Sequence, residues 1–306
     1  MVIPAGCQNG AGRVYPDKPV TIIALDPAGG PTDIVARQLA EAAKPFFPQP
    51  LVVINRPGGA GTIAAAEVAK AAPDGYTIGL QAVGPLALQP HRNQLPYQGP
   101  RDFTPIIKLV DQPLALAVRG DSSRQTASDL LRDAQASPGR IRVALPGAGT
   151  IAQLVLTELR RQTGAVFTPV PFGSAGEAVL ALLGGEVEAA VVGPPTLVAH
   201  VRAGKARVLG VFEAQRDPLF PDVPTLREQG QDVTLGGYFC VVGPKGTPRP
   251  VVARLHDAFQ QALASPEFQR LTAAGLVIDY AGPQALGEQL QRDYDLYGQL
   301  VRLEGQ

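Results

Sequence analysis

Short apolar runs alternate along the chain with segments in which apolar residues recur at helical spacing. Val20–Leu25 is rich in β-branched residues and is predicted to form a buried strand. A glycine-rich turn follows at 26–30, and a helix is predicted to begin at Pro31. The same order of strand, short loop and helix is repeated through most of the chain. Strands joined through helices usually run parallel, so the pattern predicts an α/β fold with mostly parallel sheets flanked by helices.

The length of the chain and its polar segments predict two domains. A chain of 306 residues is long enough for two cores of ordinary size. The polar segment Arg119–Ser123 is predicted to cross between the domains, and the strand at Tyr238–Val242 is predicted to bring the chain back. We expect a first domain of residues 15–118 and 239–306, a second domain of residues 119–238, and a ligand cleft between them. Residues 1–14 lack periodicity and are expected to form a disordered tail.

Composition and charge indicate a globular protein whose partner is a small molecule. Hydrophobic residues make up 45% of the chain and charged residues 18%. The 27 basic residues balance the 27 acidic ones, which argues against nucleic acid or a membrane surface as a partner. The chain has no apolar run of the roughly 18 residues that a membrane span needs.

The amino terminus lacks a complete secretion signal, so we expect the signal peptide to be absent or trimmed. Residues 4–7 faintly resemble the end of a lipoprotein signal, but Pro4 is unfavourable there, and a lipid anchor at Cys7 is not expected. Cys240 is the one other cysteine. So few cysteines fit either a reducing compartment or an exported protein that does not depend on disulfides. Whether Cys7 pairs with Cys240 stays open.

The turn between the first predicted strand and helix is a candidate anion site. The first N–H groups of a helix have no partner within the helix, and the helix dipole adds about half a positive charge at this end. A carboxylate or phosphate would therefore be bound there without an arginine. The predicted contacts are Ala28, Gly29, Gly30, Thr32 and Asp33.

Other predicted strand ends carry small or polar residues and are further candidates, because ligands of open α/β sheets bind at the carboxyl ends of the strands. Val83 and Gly84 follow the strand at Thr77–Ala82. In the second domain, Gly173 and Ser174 are expected both to cap a helix and to contact the ligand. The second-domain candidates at these strand ends are Gly147, Ala148, Gly149, Thr150, Gln153, Phe172, Gly173, Ser174 and Ala175.

The six residues GAGTIA occur twice, at Gly59–Ala64 and Gly147–Ala152. Both copies match the G-x-G-x-x-A pattern of dinucleotide-binding loops. An NAD(P)-dependent α/β oxidoreductase is therefore the alternative function. That pattern also needs an acidic residue about 20 positions later, and neither 78–83 nor 168–172 contains one. We therefore expect no cofactor.

The sequence contains no recognisable catalytic or metal-binding pattern. Phe172–Gly176 lacks the first glycine of a G-x-S-x-G nucleophile turn. His91, His200 and His256 have no metal-ligating residue three or four positions later. The sequence thus predicts a binding protein without catalytic residues and without a metal.

Several blocks of the chain, taken in order, resemble the extracytoplasmic solute receptors of tripartite tricarboxylate transporters, often called Bug proteins. The resemblance covers nearly the whole chain from Tyr15. The matching blocks are Tyr15–Val20, Pro27–Asp33 with Ala36 and Arg37, Asn55–Gly58, Pro73–Thr77, Phe220–Leu226 with Glu228 and Gly230, and Pro244–Pro248.

This resemblance implies a two-domain periplasmic binding protein of type II, the Venus-flytrap fold. It also implies a periplasmic location and a small carboxylate or related ligand, held by backbone N–H groups and ordered waters. The implied partners are a membrane permease of the tripartite tricarboxylate transporter and, for some members, a sensor kinase. We expect the receptor to be a monomer.

The chain departs from the family pattern at two positions. Gln153 stands where the family often has histidine, and its amide cannot become positively charged. Val192 stands where the family often has aspartate, so a ligand with a free amino group would lack a counter-charge there. Val192 and Phe172, with Tyr238 as a further candidate, are instead predicted to form an apolar wall of the site.

Overall fold

A computed structural model describes residues 8–9 and 13–304 and divides the chain into two α/β units. The first unit contains the chain through Asp111 together with Tyr238–Ala273 and Ile278–Gly298. The second unit contains Gln112–Gly237, Ala274–Val277 and the chain from Gln299. Each unit has its own sheet.

The strands of the described residues are β1 (Gln8–Asn9), β2 (Arg13–Val14), β3 (Val20–Ala24), β4 (Leu51–Asn55), β5 (Thr77–Ala82), β6 (Phe103–Gln112), β7 (Ala115–Arg119), β8 (Ile141–Leu145), β9 (Phe167–Pro171), β10 (Ala189–Val192), β11 (Ala206–Val211), β12 (Gly237–Pro244) and β13 (Val277–Ala281). The α-helices are α1 (Pro31–Ala43), α2 (Thr62–Lys70), α3 (Gln89–Arg92), α4 (Ala127–Ala136), α5 (Ile151–Thr163), α6 (Ala175–Gly184), α7 (Val198–Arg202), α8 (Arg249–Leu263), α9 (Pro266–Gln269) and α10 (Pro283–Glu304). A π-helical turn at Gly84–Leu88 leads directly into α3.

The sheet of the first unit has six strands in the order β13-β6-β12-β5-β3-β4. β3 runs parallel to both β4 and β5, whereas β12 runs antiparallel to β5. Val20, Ile22 and Ile23 of β3 are fully buried, which explains why this segment is apolar apart from Thr21. Because β3, β4 and β5 are parallel, the loops that follow them lie at one edge of the sheet.

The sheet of the second unit has five strands in the order β11-β7-β10-β8-β9. β8 is parallel to β9 and β10, and β7 is antiparallel to β10 and β11. A single strand, β7, is therefore reversed, as expected for a mostly parallel sheet. The loops after β8 and β9 leave the same edge, where the N–H of Phe172 donates to the carbonyl of Leu145 at 2.9 Å.

The observed division of the chain differs from the predicted domain boundaries. We placed residues 113–118 in the first domain, but β7 is hydrogen-bonded to β10 and β11 in the sheet of the second unit. The division therefore lies between Asp111 and Gln112. Residues 274–277 and those from 299 also belong to the second unit. Sequence periodicity missed this because the crossing strands are as apolar as the strands on either side.

Part of the predicted disordered tail forms a pair of short strands. Gln8 pairs with Val14 and Asn9 with Arg13 in an antiparallel ladder. The other residues of 1–14 lie outside the described residues. They include Cys7, so the prediction that it carries no lipid anchor concerns a residue outside the described part. Cys240 is a buried free thiol, and burial raises its pKa to about 12. Among residues 8–9 and 13–304, no helix combines the length and the apolar character needed to cross a membrane.

Gly120 lies where the end of β7 packs against the turn before β11, and its N–H donates to the Lys205 carbonyl at 2.8 Å. A methyl group at Gly120 would lie 1.9 Å from the carbonyl oxygen of Gly204, so the backbone would have to move. We expect Gly120→Ala to lower the free energy of unfolding by about 1–3 kcal/mol, measured by chemical denaturation. Gly84→Ala is the control, because a methyl group there meets nothing within 4 Å. Equal stability of the two variants would contradict this packing.

Candidate functional site

The loop after β3 is closed by contacts between Asp26 and Thr32. The N–H and the hydroxyl of Thr32 both donate to Asp26 Oδ2, at 2.9 and 2.8 Å. The N–H of Asp26 in turn donates to Thr32 Oγ1 at 3.1 Å. Asp26 thus takes the place of a side-chain cap for α1, whose N-cap residue, Gly30, has none. The Thr32 side chain is buried and serves this loop rather than facing a ligand.

Asp33 is the centre of the same loop. Its Oδ2 accepts from the Gly29 N–H at 2.8 Å, and its Oδ1 accepts from Asn55 Nδ2 at 2.9 Å. Arg37 Nε lies 2.9 and 3.0 Å from the two oxygens. Burial opposes ionisation of Asp33, but the hydrogen bonds from Arg37, Gly29 and Asn55 outweigh it and lower its pKa. The side chain is only 4% exposed, so Asp33 shapes the loop as a buried carboxylate.

These contacts correct the expectation that the amides of this loop are all without partners. The Gly29 N–H is bound by Asp33, the Gly30 N–H by the Pro27 carbonyl, and the Thr32 N–H by Asp26. Among the described residues, no acceptor binds the N–H of Ala28 or that of Asp33. Ala28 is exposed. The loop therefore offers a ligand two backbone donors rather than five.

Neighbouring strand ends complete this edge of the first unit. Asn55, at the end of β4, donates to the carbonyl of Asp26 at 2.8 Å as well as to Asp33. Sequence reasoning missed its role, although a polar residue at the end of a parallel strand was a usable signal. Val83 and Gly84 follow β5 at the same edge, but Val83 is fully buried. Its side chain is thus part of the core, whereas Gly84 has open space around it.

The loop after β8 has a contact like that between Gly29 and Asp33, but the side chain that accepts the glycine N–H is uncharged. Gly147 and Gly149 have φ values of +113° and +67°, which favour glycine. The N–H of Gly149 donates to Gln153 Oε1 at 3.0 Å. Because this N–H requires an acceptor, the contact orients the Gln153 amide and directs its Nε2 hydrogens elsewhere. No acceptor within the described parts of the chain binds Nε2, and Ala148 is exposed.

The two GAGTIA segments share one local contact. The Thr62 hydroxyl donates to the Gly59 carbonyl at 2.7 Å, and the Thr150 hydroxyl donates to the Gly147 carbonyl at 3.2 Å. In both copies the threonine follows a glycine with positive φ, at Gly61 and Gly149. The repeated sequence thus repeats this threonine contact ahead of a helix, although the two turns differ in that Ala60 has a φ of +53° and Ala148 has no positive φ.

The loop after β9 is closed by a carboxylate. The N–H of Gly173 donates to Glu177 Oε2 at 3.1 Å, and the Ser174 hydroxyl donates to Glu177 Oε1 at 3.3 Å. Ser174 Oγ accepts the Glu177 N–H at 3.2 Å, so the predicted helix cap is confirmed. Sequence reasoning did not single out Glu177, although S-x-x-E before an apolar helix is a capping-box signature.

The predicted apolar wall is largely core. Val192 is 0% exposed and belongs to the hydrophobic cluster of the second unit. Phe172 and Ala175 are half-buried and pack against the same cluster. Tyr238, in the first unit, is buried and donates to Asp293 at 2.7 Å. The proposed wall role is therefore wrong for the side chain of Val192 and is retained only for Phe172.

Within each unit, the predicted site residues meet at one sheet edge. Ala28–Asp33 and Gly84 lie at the edge of the first sheet, and Gly147–Gln153 and Phe172–Ala175 lie at the edge of the second. Among residues 8–9 and 13–304, no group of three or more His, Cys, Asp or Glu residues is arranged to hold a metal ion. What these edges present is backbone and amide donors with few free charges, an arrangement suited to binding an anion.

Comparison with known proteins agrees with this description. A model of the tripartite tricarboxylate transporter family receptor, TctC, matches residues 35–302. The chain belongs to this family. It is 35% identical to BugT of Bordetella pertussis over 258 residues, which cover 82% of this chain and 78% of BugT.

Solved structures resemble the receptor closely. A TctC solute-binding protein from Polaromonas, solved without ligand, has a TM-score of 0.85 and 33% identity, covering 94% of this chain and 99% of that one. MatC from Rhodopseudomonas palustris with bound malate has a TM-score of 0.75 and 31% identity, with coverage of 94% and 100%. A Rhodopseudomonas palustris protein solved with adipate has a TM-score of 0.76 and 26% identity, with coverage of 95% and 98%.

These relatives confirm the fold class predicted from the sequence, a two-domain periplasmic binding protein of type II. Its family and its structural neighbours are solute-binding receptors, and this protein is likewise a solute-binding protein rather than an enzyme. The alternative of an NAD(P)-dependent oxidoreductase is not supported. Receptors of this type are periplasmic, in agreement with the predicted location.

Proposed function

We propose that this receptor binds a small carboxylate for uptake by a tripartite tricarboxylate transporter, and that loops at the carboxyl ends of the strands supply the contacts. The proposed contacts in the first unit are Ala28, the backbone of Asp33, and Gly84. Those in the second unit are Gly147–Thr150, Gln153 and Phe172–Ala175. The observation that carries the proposal is the set of backbone and amide donors at Ala28, Asp33 and Gln153 that have no acceptor among residues 8–9 and 13–304.

The chemistry of the two edges supports an anionic ligand. Arg37 is already paired with Asp33, and Arg56 is paired with Glu67 at 2.7 Å. A ligand carboxylate would therefore be balanced by backbone dipoles rather than by a side-chain cation. The neighbours with malate and adipate bind small organic acids of this kind. A micromolar dissociation constant, about 8 kcal/mol, is a reasonable expectation for a few charge-assisted hydrogen bonds.

Two further predictions concern partners. We expect the receptor to act as a monomer that delivers its ligand to the membrane permease. We also propose that the receptor signals through a sensor kinase, because the resemblance to the family implies this partner for some members. Binding of the purified permease, with and without ligand, tests the transport role directly.

A ligand screen tests the proposed function. Malate, adipate, succinate and citrate are added to the purified receptor, and the melting temperature is followed. A ligand that binds the folded protein raises it in a concentration-dependent way. We expect a rise with at least one carboxylate and none with NAD or NADP. A rise with a dinucleotide, or none with any carboxylate, would contradict the proposal.

Ala28→Asp is expected to weaken carboxylate binding at least tenfold in isothermal titration calorimetry. Ala28 is exposed and its N–H has no acceptor among the described residues, so the new carboxylate would repel an anion held there. Ala72→Asp is the matched control. Ala72 is also exposed, but it precedes β5 and lies at the opposite edge of the sheet. If the two variants bound the carboxylate with equal affinity, whether weak or strong, Ala28 would be excluded from the site.

A further inference from the structure

Three helix starts in this receptor share a closing contact. In each, a glycine N–H donates to a side-chain oxygen four residues later, in the first turn of the helix. The pairs are Gly29 with Asp33, Gly149 with Gln153 and Gly173 with Glu177, at 2.8, 3.0 and 3.1 Å. The geometry is common to all three, but the closing groups differ in charge.

The charge of the closing group decides what each loop can accept from a ligand. Asp33 is buried and neutralised by Arg37. Gln153 is neutral and retains two N–H groups on Nε2, so it adds donors without adding charge. Glu177 is a carboxylate, is exposed, and within the described residues has no ion-pair partner. The loop after β9 therefore presents a negative charge where the loop after β8 presents donors.

Glu177 also occupies the donors that a ligand carboxylate would need at α6. Its two oxygens accept the Gly173 N–H and the Ser174 hydroxyl, and its own N–H is bound by Ser174 Oγ. A second carboxylate at this loop would lack free hydrogen-bond donors, because Glu177 already accepts from them, and it would be repelled by the negative charge of Glu177. A hydroxyl or an amide N–H, in contrast, would find an acceptor in the carboxylate.

We propose that Glu177 and Gln153 together select a ligand with one carboxylate, received at the Gln153 loop, and an uncharged hydrogen-bond donor, received at the Glu177 loop. This rests on the proposed function and narrows it to monocarboxylates with a distal hydroxyl or amide. The two loops follow adjacent parallel strands of one sheet, with Leu145 opposite Pro171. They are therefore neighbours within the second unit.

The test uses a matched set of probes. Each linear dicarboxylate from three to six carbons is compared with its ω-hydroxy acid and its ω-monoamide of equal length, by calorimetry at pH 7. We expect the tightest-binding monocarboxylate to bind at least tenfold more tightly than the dicarboxylate of the same length. A dicarboxylate that binds as tightly as its partners, or more tightly, would overturn the inference. If no member of the set binds although malate or citrate raises the melting temperature, the selection inference fails and the proposed carboxylate function stands.

Two variants of nearly unchanged shape separate the roles. Glu177→Gln keeps an oxygen for the Gly173 N–H and removes the charge. The ratio of the dissociation constant of the dicarboxylate to that of the monocarboxylate should therefore fall towards one. Gln153→Glu keeps an oxygen for the Gly149 N–H and adds a charge, so every probe should bind at least tenfold more weakly. Glu186→Gln is the control, because Glu186 is exposed and lies beyond the other end of α6.

Melting curves without ligand show whether each variant is folded. A folded Glu177→Gln variant with the wild-type preference would assign Glu177 a purely capping role and exclude it from selection. A folded Gln153→Glu variant with wild-type affinity would do the same for Gln153. Should either variant fail to fold, Glu177→Ala, which also removes the charge, and Gln153→Ala, which removes the Nε2 donors, replace it with the same expected directions.

Discussion

Replacing Lys108 with methionine is expected to lower the free energy of unfolding by about 3 kcal/mol, because it leaves the carboxylates of Asp111 and Asp279, which are 22% and 50% exposed, without a cation. Lys108 Nζ lies 2.6 Å from Asp111 Oδ1 and 2.6 Å from Asp279 Oδ2. The side chain is only 6% exposed, and Nζ lies 5.0 Å from the centre of the Tyr238 ring. Methionine fills a similar volume, so the loss would reflect charge rather than packing.

One ammonium serves two carboxylates in this cluster. Burial lowers the pKa of Lys108, but Asp111 and Asp279 outweigh it and raise the pKa. Burial and the charge of Asp279 raise the pKa of Asp111 to about 6, against the opposing effect of Lys108. Without Lys108, folding at neutral pH would require Asp111, which is partly buried beside Asp279, either to keep an unpaired charge or to take up a proton. That requirement is the source of the expected loss.

Urea unfolding at pH 7 measures the effect. Lys245→Met is the control, because the Lys245–Asp102 pair is 3.5 Å apart and Lys245 is 69% exposed; we expect little change there. The double variant Lys108→Met/Asp111→Asn should recover part of the loss, since it removes one of the unpaired charges. A loss that the second substitution does not reduce would show that packing, rather than charge, is responsible.

Asp33→Asn is expected to lower the free energy of unfolding by about 2–3 kcal/mol at pH 7 and to weaken ligand binding. Both oxygens of Asp33 accept hydrogen bonds, from Gly29, Asn55 and Arg37. Asparagine has one acceptor oxygen and would direct its NH2 group at donors. The loop that presents Ala28 would lose the contacts that shape it.

The effect should depend on pH in a defined direction. The folded-state pKa of Asp33 lies below its usual value, so the ionised form stabilises the fold above the unfolded pKa of about 4. That contribution is lost as the pH falls through the folded-state pKa. The stability difference between wild type and variant should therefore be full at pH 7 and shrink in acid. A difference that does not change between pH 7 and pH 2 would contradict an ionised Asp33.

Glu41→Gln is the control for Asp33. Glu41 lies in the same helix, α1, and pairs with Lys44, but the two side chains are 56% and 64% exposed. Exposed pairs contribute little to stability. We therefore expect the unfolding transition of Glu41→Gln to resemble that of wild type, and ligand affinity to be unchanged.

Most elements of the fold were predictable from local pattern. The strand predicted at Thr77–Ala82 has the observed bounds, and the strand predicted at Val20–Leu25 extends one residue beyond β3, because both are short, mostly apolar runs bounded by turn residues. β13 was missed. It contains Asp279 and Tyr280, is the outermost strand of its sheet and is only partly buried. It therefore lacks the apolar signal of a central strand.

The sequence by itself determined that both units are α/β, that glycine loops lie at the strand ends and that the family is a solute receptor. The first two follow from short-range patterns of apolar residues, glycine and proline, and the third follows from the resemblance of several sequence blocks to that family. Only the tertiary structure decided which donors are available. Asp33, Gln153 and Glu177 turn back onto glycines four residues earlier, and Asn55 arrives from a neighbouring strand. Hydrogen-bond partners depend on side-chain direction in space, which the order of residues does not specify.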